Sequence, residues 1–261
     1  MRQAVNPKSM QGRQARTNQA VAWLIRSLAW ALWLSWVLAP AWWRNIWIWF
    51  NEDGLDPLYQ ADSLWHLALW HLGLSVFATL LAASVAVTLA LLVTRPRFSR
   101  LKPLIGACVR LGQTIPPVVV LALVIPWLGF GNLPTLVALF LYGLLPIFER
   151  SLTGLRELPL ATMEAALGMG LSPLGRLWRV ELPLAMPTIM EGIRLSLTIN
   201  VGTATLGSTV AAKSLGEVIL AGLLSNNNAY IVQGALITGL LAMLLYDFMG
   251  MIKRFNGQST Y

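Results

Sequence analysis

Apolar residues run along this chain in long blocks, without the short alternating or one-face patterns of elements that lie in water. A helix needs about 20 apolar residues to cross a bilayer. About six stretches meet or approach that length, at 21–43, 64–93, 104–128, 134–148, 188–210 and 230–252, the fourth only with its flanks. Each is predicted helical, because in lipid a helix satisfies its own backbone polar groups. Two of them are interrupted. In the third, Gln113 and Thr114 precede Pro116 and Pro117, which remove two backbone donors near mid-depth. A proline kink and a broken helix both fit, and a break in lipid survives only where it faces protein or a watery cavity. In the fifth, Asn200, Gly202, Thr203, Ala204, Thr205, Gly207, Ser208 and Thr209 form a small, hydroxyl-rich run. Such a run serves tight helix packing, subunit contact or the lining of a pathway.

Composition agrees with this solvent. Of 261 residues 56% are hydrophobic and 11% charged, against roughly 25% charged in soluble domains. The net charge of +8 raises the question of nucleic acid, but the position of the charges answers it. Arg2, Lys8, Arg13 and Arg16 precede the first stretch; Arg95, Arg97, Arg100 and Lys102 fill the second connection; Arg150, Arg156, Arg176 and Arg179 the fourth; Lys253 and Arg254 the C-terminus. Glu52, Asp53, Asp56, Asp62 and Glu217 gather in the alternate connections, with only Arg44 and Lys213 for positive charge. By the positive-inside rule both termini face the cytoplasm. The partner of this charge is the membrane surface, not nucleic acid.

The pattern divides the chain into a basic cytoplasmic tail (1–20), a first transmembrane helix with an external loop (21–63), a core (64–252) and a C-terminal cytoplasmic tail (253–261). Ala39-Pro40-Ala41 after an apolar run imitates a signal-peptide cleavage site, but the run is long and continues into Trp42, Trp43, Trp47 and Trp49. Retention of the first helix as an anchor is expected, with the tryptophans as an outer aromatic belt in preference to an aromatic cage for a cationic ligand.

Within the core, the cytoplasmic segment 150–187 is amphipathic. Pro159 can begin a short helix through Glu164, Ala165 and Ala166; Gly168 and Gly170 loosen its end; Ser172-Pro173 is a cap and first turn for a second helix. Leu174, Leu177, Trp178 and Leu182 share one face and Arg176 and Arg179 the other, until Pro183 is expected to stop it. A helix on the headgroups, packing under the bundle, and insertion into the groove of a cytoplasmic partner all fit this pattern.

A resemblance bears on that choice. Glu164-Ala165-Ala166, three residues, Gly170, nine residues, then Val180-x-Leu182-Pro183 resembles the EAA signature of permease subunits of bacterial ATP-binding-cassette importers. Gly112-Gln113-Thr114-Ile115-Pro116-Pro117, Leu141-Tyr142-Gly143-Leu144-Leu145-Pro146 and Val180-Glu181-Leu182-Pro183-Leu184-Ala185 are similar to osmoprotectant permeases for glycine betaine, choline and related quaternary amines, most like their Yeh-type branch. Lys213-Ser214-Leu215-Gly216-Glu217 stands where that group has a small, glycine-rich stretch. The resemblance implies an all-α, MetI-like permease fold. It implies that Glu164, Ala165, Ala166, Gly168, Gly170, Leu182 and Pro183 couple to a cytoplasmic ATP-binding subunit. It also implies a second permease, the same chain or another, and an external substrate-binding protein. ATP and magnesium belong to the ATPase and no cofactor to this chain, which has no G-x-x-x-x-G-K-[ST] loop. Gln113, Thr114, Pro116, Pro117, Asn200, Gly202, Thr203 and Thr205 are the expected translocation pathway.

Other classes are disfavoured by residues that are missing. A secondary carrier is expected to hold a carboxylate at mid-depth, and no stretch has one. His66 and His71, five apart, do not share a helical face for a metal, and no nucleophile–base constellation stands out, so no enzyme is expected. A methionine-type amino-acid importer is the nearest alternative within transport. The orientation is testable. After Cys108 is replaced, a cysteine at Asp53 should react with an impermeant thiol reagent from outside, and one at Arg176 only after the membrane is opened.

Overall fold

With no water in the bilayer core, each helix must close its own hydrogen bonds, and the described residues contain helices and connections but no strand. The structure is a computed structural model that describes residues 7–51 and 54–255, with side chains for 21–51 and 54–251. Asp53 and the basic residues of both tails therefore lie outside the described side chains.

Helix α1 (Pro7–Leu38) leads through a tight turn (Pro40–Trp43) to the short α2 (Arg44–Ile48). Helix α3 (Leu64–Val93) begins where the Ser63 hydroxyl accepts the His66 N–H at 3.0 Å. A 3-10 turn (Pro96–Leu101) leads to α4 (Lys102–Thr114), α5 (Pro117–Leu128) and α6 (Asn132–Arg156). The amphipathic segment 150–187 holds α7 (Leu160–Gly168), α8 (Pro173–Arg176) and a π turn (Leu177–Glu181). The chain ends in α9 (Leu182–Thr203), a 3-10 extension (Ala204–Val210), α10 (Gly216–Ser225) and α11 (Asn228–Phe255).

Among the described residues four helices are long and apolar enough to cross a membrane: Val21–Leu38, Leu64–Val93, Asn132–Arg156 and Asn228–Met251. The stretch 104–128 is a sharply bent helix pair, which as one broken span would give a fifth crossing. Its halves meet at 96°, because neither Pro116 nor Pro117 can donate across the junction and Ile115, before a proline, is extended at ψ 123°. Helix α9, with 22 residues, is about 33 Å long. It begins six residues earlier than expected and tightens into the 3-10 extension before 210. Pro183 does not stop the second cytoplasmic helix. The π turn carries the chain directly into α9, where Pro183 sits in the first turn and no donor is required of it.

The core is a three-helix seam of α3, α6 and α9. Ala78, Ala82, Ala86 and Ala90 recur every fourth residue on α3, all fully buried, so α6 can lie close along most of its length. Between α6 and α9 the approach is closer still. A Cβ at Gly192 would stand 2.9 Å from the Pro146 carbonyl oxygen, and one at Gly143 2.8 Å from Ser196 Oγ. Helix α1 is held on the outside of α11: Trp33 Nε1 donates to the Ile237 carbonyl at 2.9 Å, and Arg26 pairs with Asp247 at 2.5 Å. The order 26, 33 against 247, 237 makes these helices antiparallel. Trp33 and Trp47 are buried, and Trp36 stacks edge-to-face on Trp43 and Trp47, so part of the tryptophan cluster is packing; Trp42 and Trp49 are exposed.

The seam makes a stability prediction. Gly192→Leu should cost about 1–3 kcal/mol through overpacking. Gly202→Leu, at a position with nothing within 4 Å of its Cβ, should leave thermal unfolding in detergent unchanged.

Candidate coupling surface and translocation face

The cytoplasmic segment is built by local rules. At the end of α7 the chain reverses with Gly170 at φ 72°, the Met169 N–H bonded to Ala165 O and the Leu171 N–H to Ala166 O. This helix terminus needs a left-handed residue, so Gly170 is set by backbone conformation before any question of partner approach. Ser172 then caps α8, its hydroxyl accepting the Gly175 N–H at 3.1 Å. Of the expected coupling residues, Glu164, Ala165, Gly168, Gly170 and Pro183 are exposed, whereas Ala166 and Leu182 are buried inside the chain. The sequence pattern marks Leu174 and Trp178 as apolar here but not Leu160, Leu167 and Met169. Leu160, Leu167, Met169, Leu174 and Trp178 are 57–73% exposed beside the small residues.

Three elements meet beneath this surface at Glu181, which is 4% exposed. Its carboxylate accepts from Arg176 Nε at 2.8 Å and from Arg95 at 3.3 Å, with a second Arg95 nitrogen on the other oxygen. Burial works to raise this carboxyl, but the hydrogen bonds from Arg95 and then Arg176 outweigh it and hold it below the usual carboxylate range.

The expected pathway residues fall on two faces. At the break between α4 and α5, Gln113 Nε2 donates to the Tyr142 carbonyl at 2.7 Å, and the Tyr142 hydroxyl donates to the Ile115 carbonyl at 2.6 Å. This reciprocal pair gives the interrupted backbone a partner on α6. Gly112 permits the approach: a Cβ there would meet Leu141 O at 2.8 Å. Thr114 and Pro116 are exposed and Pro117 half-buried. On α9 and its extension, Gly202 and Thr209 are exposed and Thr203 and Thr205 half-buried, while Asn200, Ala204, Gly207 and Ser208 turn inward. Asn200 has no accessible surface and donates to Thr79 Oγ1 on α3 at 2.9 Å; it fastens the seam within this chain. Helix α5 and the 3-10 extension share a buried cluster of Val120, Leu121, Ala138 and Val210, so the two interrupted segments are neighbours.

At the opposite end, Lys213 joins loop to helix. It bonds Asp62 at 3.1 Å and Glu217 at 3.4 Å, while Asp62 also pairs with His66 at 3.0 Å and His66 Nε2 accepts from Trp70. His71 is separate, fully buried and bonded to the Val201 carbonyl at 2.8 Å. Arg194 stacks on Tyr246, 3.5 Å from the ring centre.

These features define a polytopic helical bundle with an amphipathic segment between its long apolar helices. A family model described as the inner membrane component of binding-protein-dependent transport systems matches residues 82–255, and the chain belongs to that family. It is 38% identical over 203 residues to the osmoprotectant import permease protein OsmY of Salmonella typhimurium, covering 77% of this chain and 86% of that one. It is 38% identical to the choline transport system permease protein OpuBB of Bacillus subtilis over 184 residues, 70% and 84% of the two chains. The glycine betaine/carnitine/choline permease OpuCB of the same organism is 36% identical over 207 residues, 78% and 90% of the two. Among solved structures, a chain of the inward-facing MetNI methionine ABC transporter superposes with a TM-score of 0.67 at 22% identity, over 77% of this chain and 100% of that one. That likeness is one of fold. The chain is thus an inner-membrane permease component.

The outer ion cluster gives a pH prediction. The hydrogen bond from His66, and after it those from Lys213 and the Ser63 amide, depress Asp62 to about 2 against the opposing effect of burial; an unfolded aspartate titrates near 3.9. Its stabilising contribution is full above about pH 4 and is lost as pH falls through about 2. Asp62→Asn should lower the melting temperature at pH 7, and the gap from the parent should close on acidification through that window.

Proposed function

We propose that this chain is the permease subunit of an ATP-driven importer of osmoprotectants, with quaternary amines such as glycine betaine, choline or carnitine as cargo. The observation that carries the cargo class is the similarity, over most of both chains, to permeases named for osmoprotectant, choline and glycine betaine transport. A separate cytoplasmic subunit binds ATP with magnesium and hydrolyses the ATP, and it seats on α7 and its exposed Leu160, Leu167 and Met169. A second permease, this chain or another, faces the exposed side of Gly202, Thr203, Thr205 and Thr209, and cargo passes between the two. Gln113, Thr114, Pro116 and Pro117 brace and border that route. An external binding protein selects the cargo, which leaves the membrane route free to bind it weakly and release it.

The test is to copurify the tagged chain with its partners, reconstitute the complex with internal ATP, and measure uptake of labelled glycine betaine. Excess choline should compete and methionine should not; the reverse would make the cargo an amino acid. Uptake by the purified chain alone, without ATP, would replace the reading with an autonomous carrier. Leu167→Glu with Met169→Glu should weaken retention of the ATPase subunit by about 30-fold or more, the loss expected when an apolar hot spot is replaced by charge. Gly202→Leu should abolish uptake while assembly and melting temperature stay at the parent's values, because the added side chain enters open space.

A further inference from the structure

The docking segment has little of its own to hold it to the membrane helices. Helix α7 buries one side chain, Ala166, and α8 none. A push on such a segment is absorbed locally unless something ties it to the bundle. Glu181 is placed to do so. It ends the π turn and is buried, while Trp178 and Arg179 in the same turn stay exposed. Its two oxygens hold Arg176, the last residue of α8, and Arg95, which follows α3 and is 86 residues away in sequence. One carboxylate thus joins the cytoplasmic end of α3, the end of α8 and the first turn of α9. Both guanidinium groups are themselves mostly covered, with side chains 28% and 22% exposed for Arg95 and Arg176. Separating a covered ion pair leaves charge without compensation, so the three ends resist sliding past one another.

We propose that Glu181 is a positioning residue for transport: through Arg95 and Arg176 it fastens the docking segment to α3 and α9, so that a displacement imposed by the ATPase on α7 reaches the membrane helices. This rests on the proposed seating of the ATPase on α7. The same π turn explains why the device is compact. A π turn is a local widening of the helix often retained at functional sites, and here it links α8, the second helix of the segment, to α9 without a flexible loop.

The test uses the reconstituted complex and reads cargo moved per ATP hydrolysed, together with ATPase retention and melting temperature. Glu181→Gln keeps the shape and removes the charge. Cargo per ATP should fall about fivefold or more, the range of a coupling interaction, with the ATPase subunit still retained. Arg95→Gln should lower the same ratio, and Arg95→Gln with Glu181→Gln should lower it no further than Glu181→Gln alone, because both remove one link. A ratio equal to the parent's in Glu181→Gln overturns the proposal, as does a loss of uptake that only follows the amount of assembled complex. If Glu181→Gln does not assemble, Arg95→Gln decides by the same ratio. The parent complex separates the two readings: if its own uptake needs no ATP, the importer reading fails, whereas a coupled parent with an unchanged variant removes only the role of Glu181.

Discussion

The close approach of three helices along a seam of small residues is the constraint on which the rest of this structure depends. Lipid offers apolar side chains no reason to leave it, so helices in a bilayer associate through packing and a few hydrogen bonds. The alanines of α3 at every fourth position and the glycines at 143 and 192 bring α6 against both α3 and α9. Asn200 then reaches Thr79 across the same seam. Because these three helices are fixed to one another, their cytoplasmic ends and their outer ends become defined places on which other parts are built.

The break between α4 and α5 is the second consequence. Two prolines cost the chain two donors in a region without water, and the seam supplies the remedy: Tyr142 lies on α6 where its carbonyl and hydroxyl can serve Gln113 and Ile115. The broken helix is thereby a stable feature. Thr114 and Pro116 at the break are exposed, as are Gly202 and Thr209 on α9 and its extension.

Charge is kept to the two ends. At one, Glu181 gathers Arg95 and Arg176 under the docking segment; at the other, Asp62 and Glu217 hold Lys213 beside the 3-10 extension. The two clusters differ in exposure and so in strength. In the outer one the Lys213 side chain is 45% exposed, which leaves it open to screening by salt, whereas in the inner one the shared Glu181 side chain is 6% exposed and loses its partners only at the cost of an uncompensated charge.

Hydrophobic length alone determined the solvent, the helical class and the approximate spans, because those depend on runs of residues whose meaning is local. Spacing determined the turn at Gly170 and the cap at Ser172, which are also local. The alanine repeat at 78, 82, 86 and 90 was equally legible as a period of four, and it is the signal that would have identified the seam. What the tertiary structure alone decided is which side of each helix meets which neighbour. Asn200 and Gly202 are two residues apart in one hydroxyl-rich run, yet one is sealed against α3 and the other stands open. Ala166 and Leu167 divide in the same way between the interior and the docking surface. Glu181 reads in sequence as one more charge on an amphipathic helix, and only the fold brings Arg95 to it from 86 residues away. Pairing of that kind depends on packing between distant segments, which no local pattern encodes.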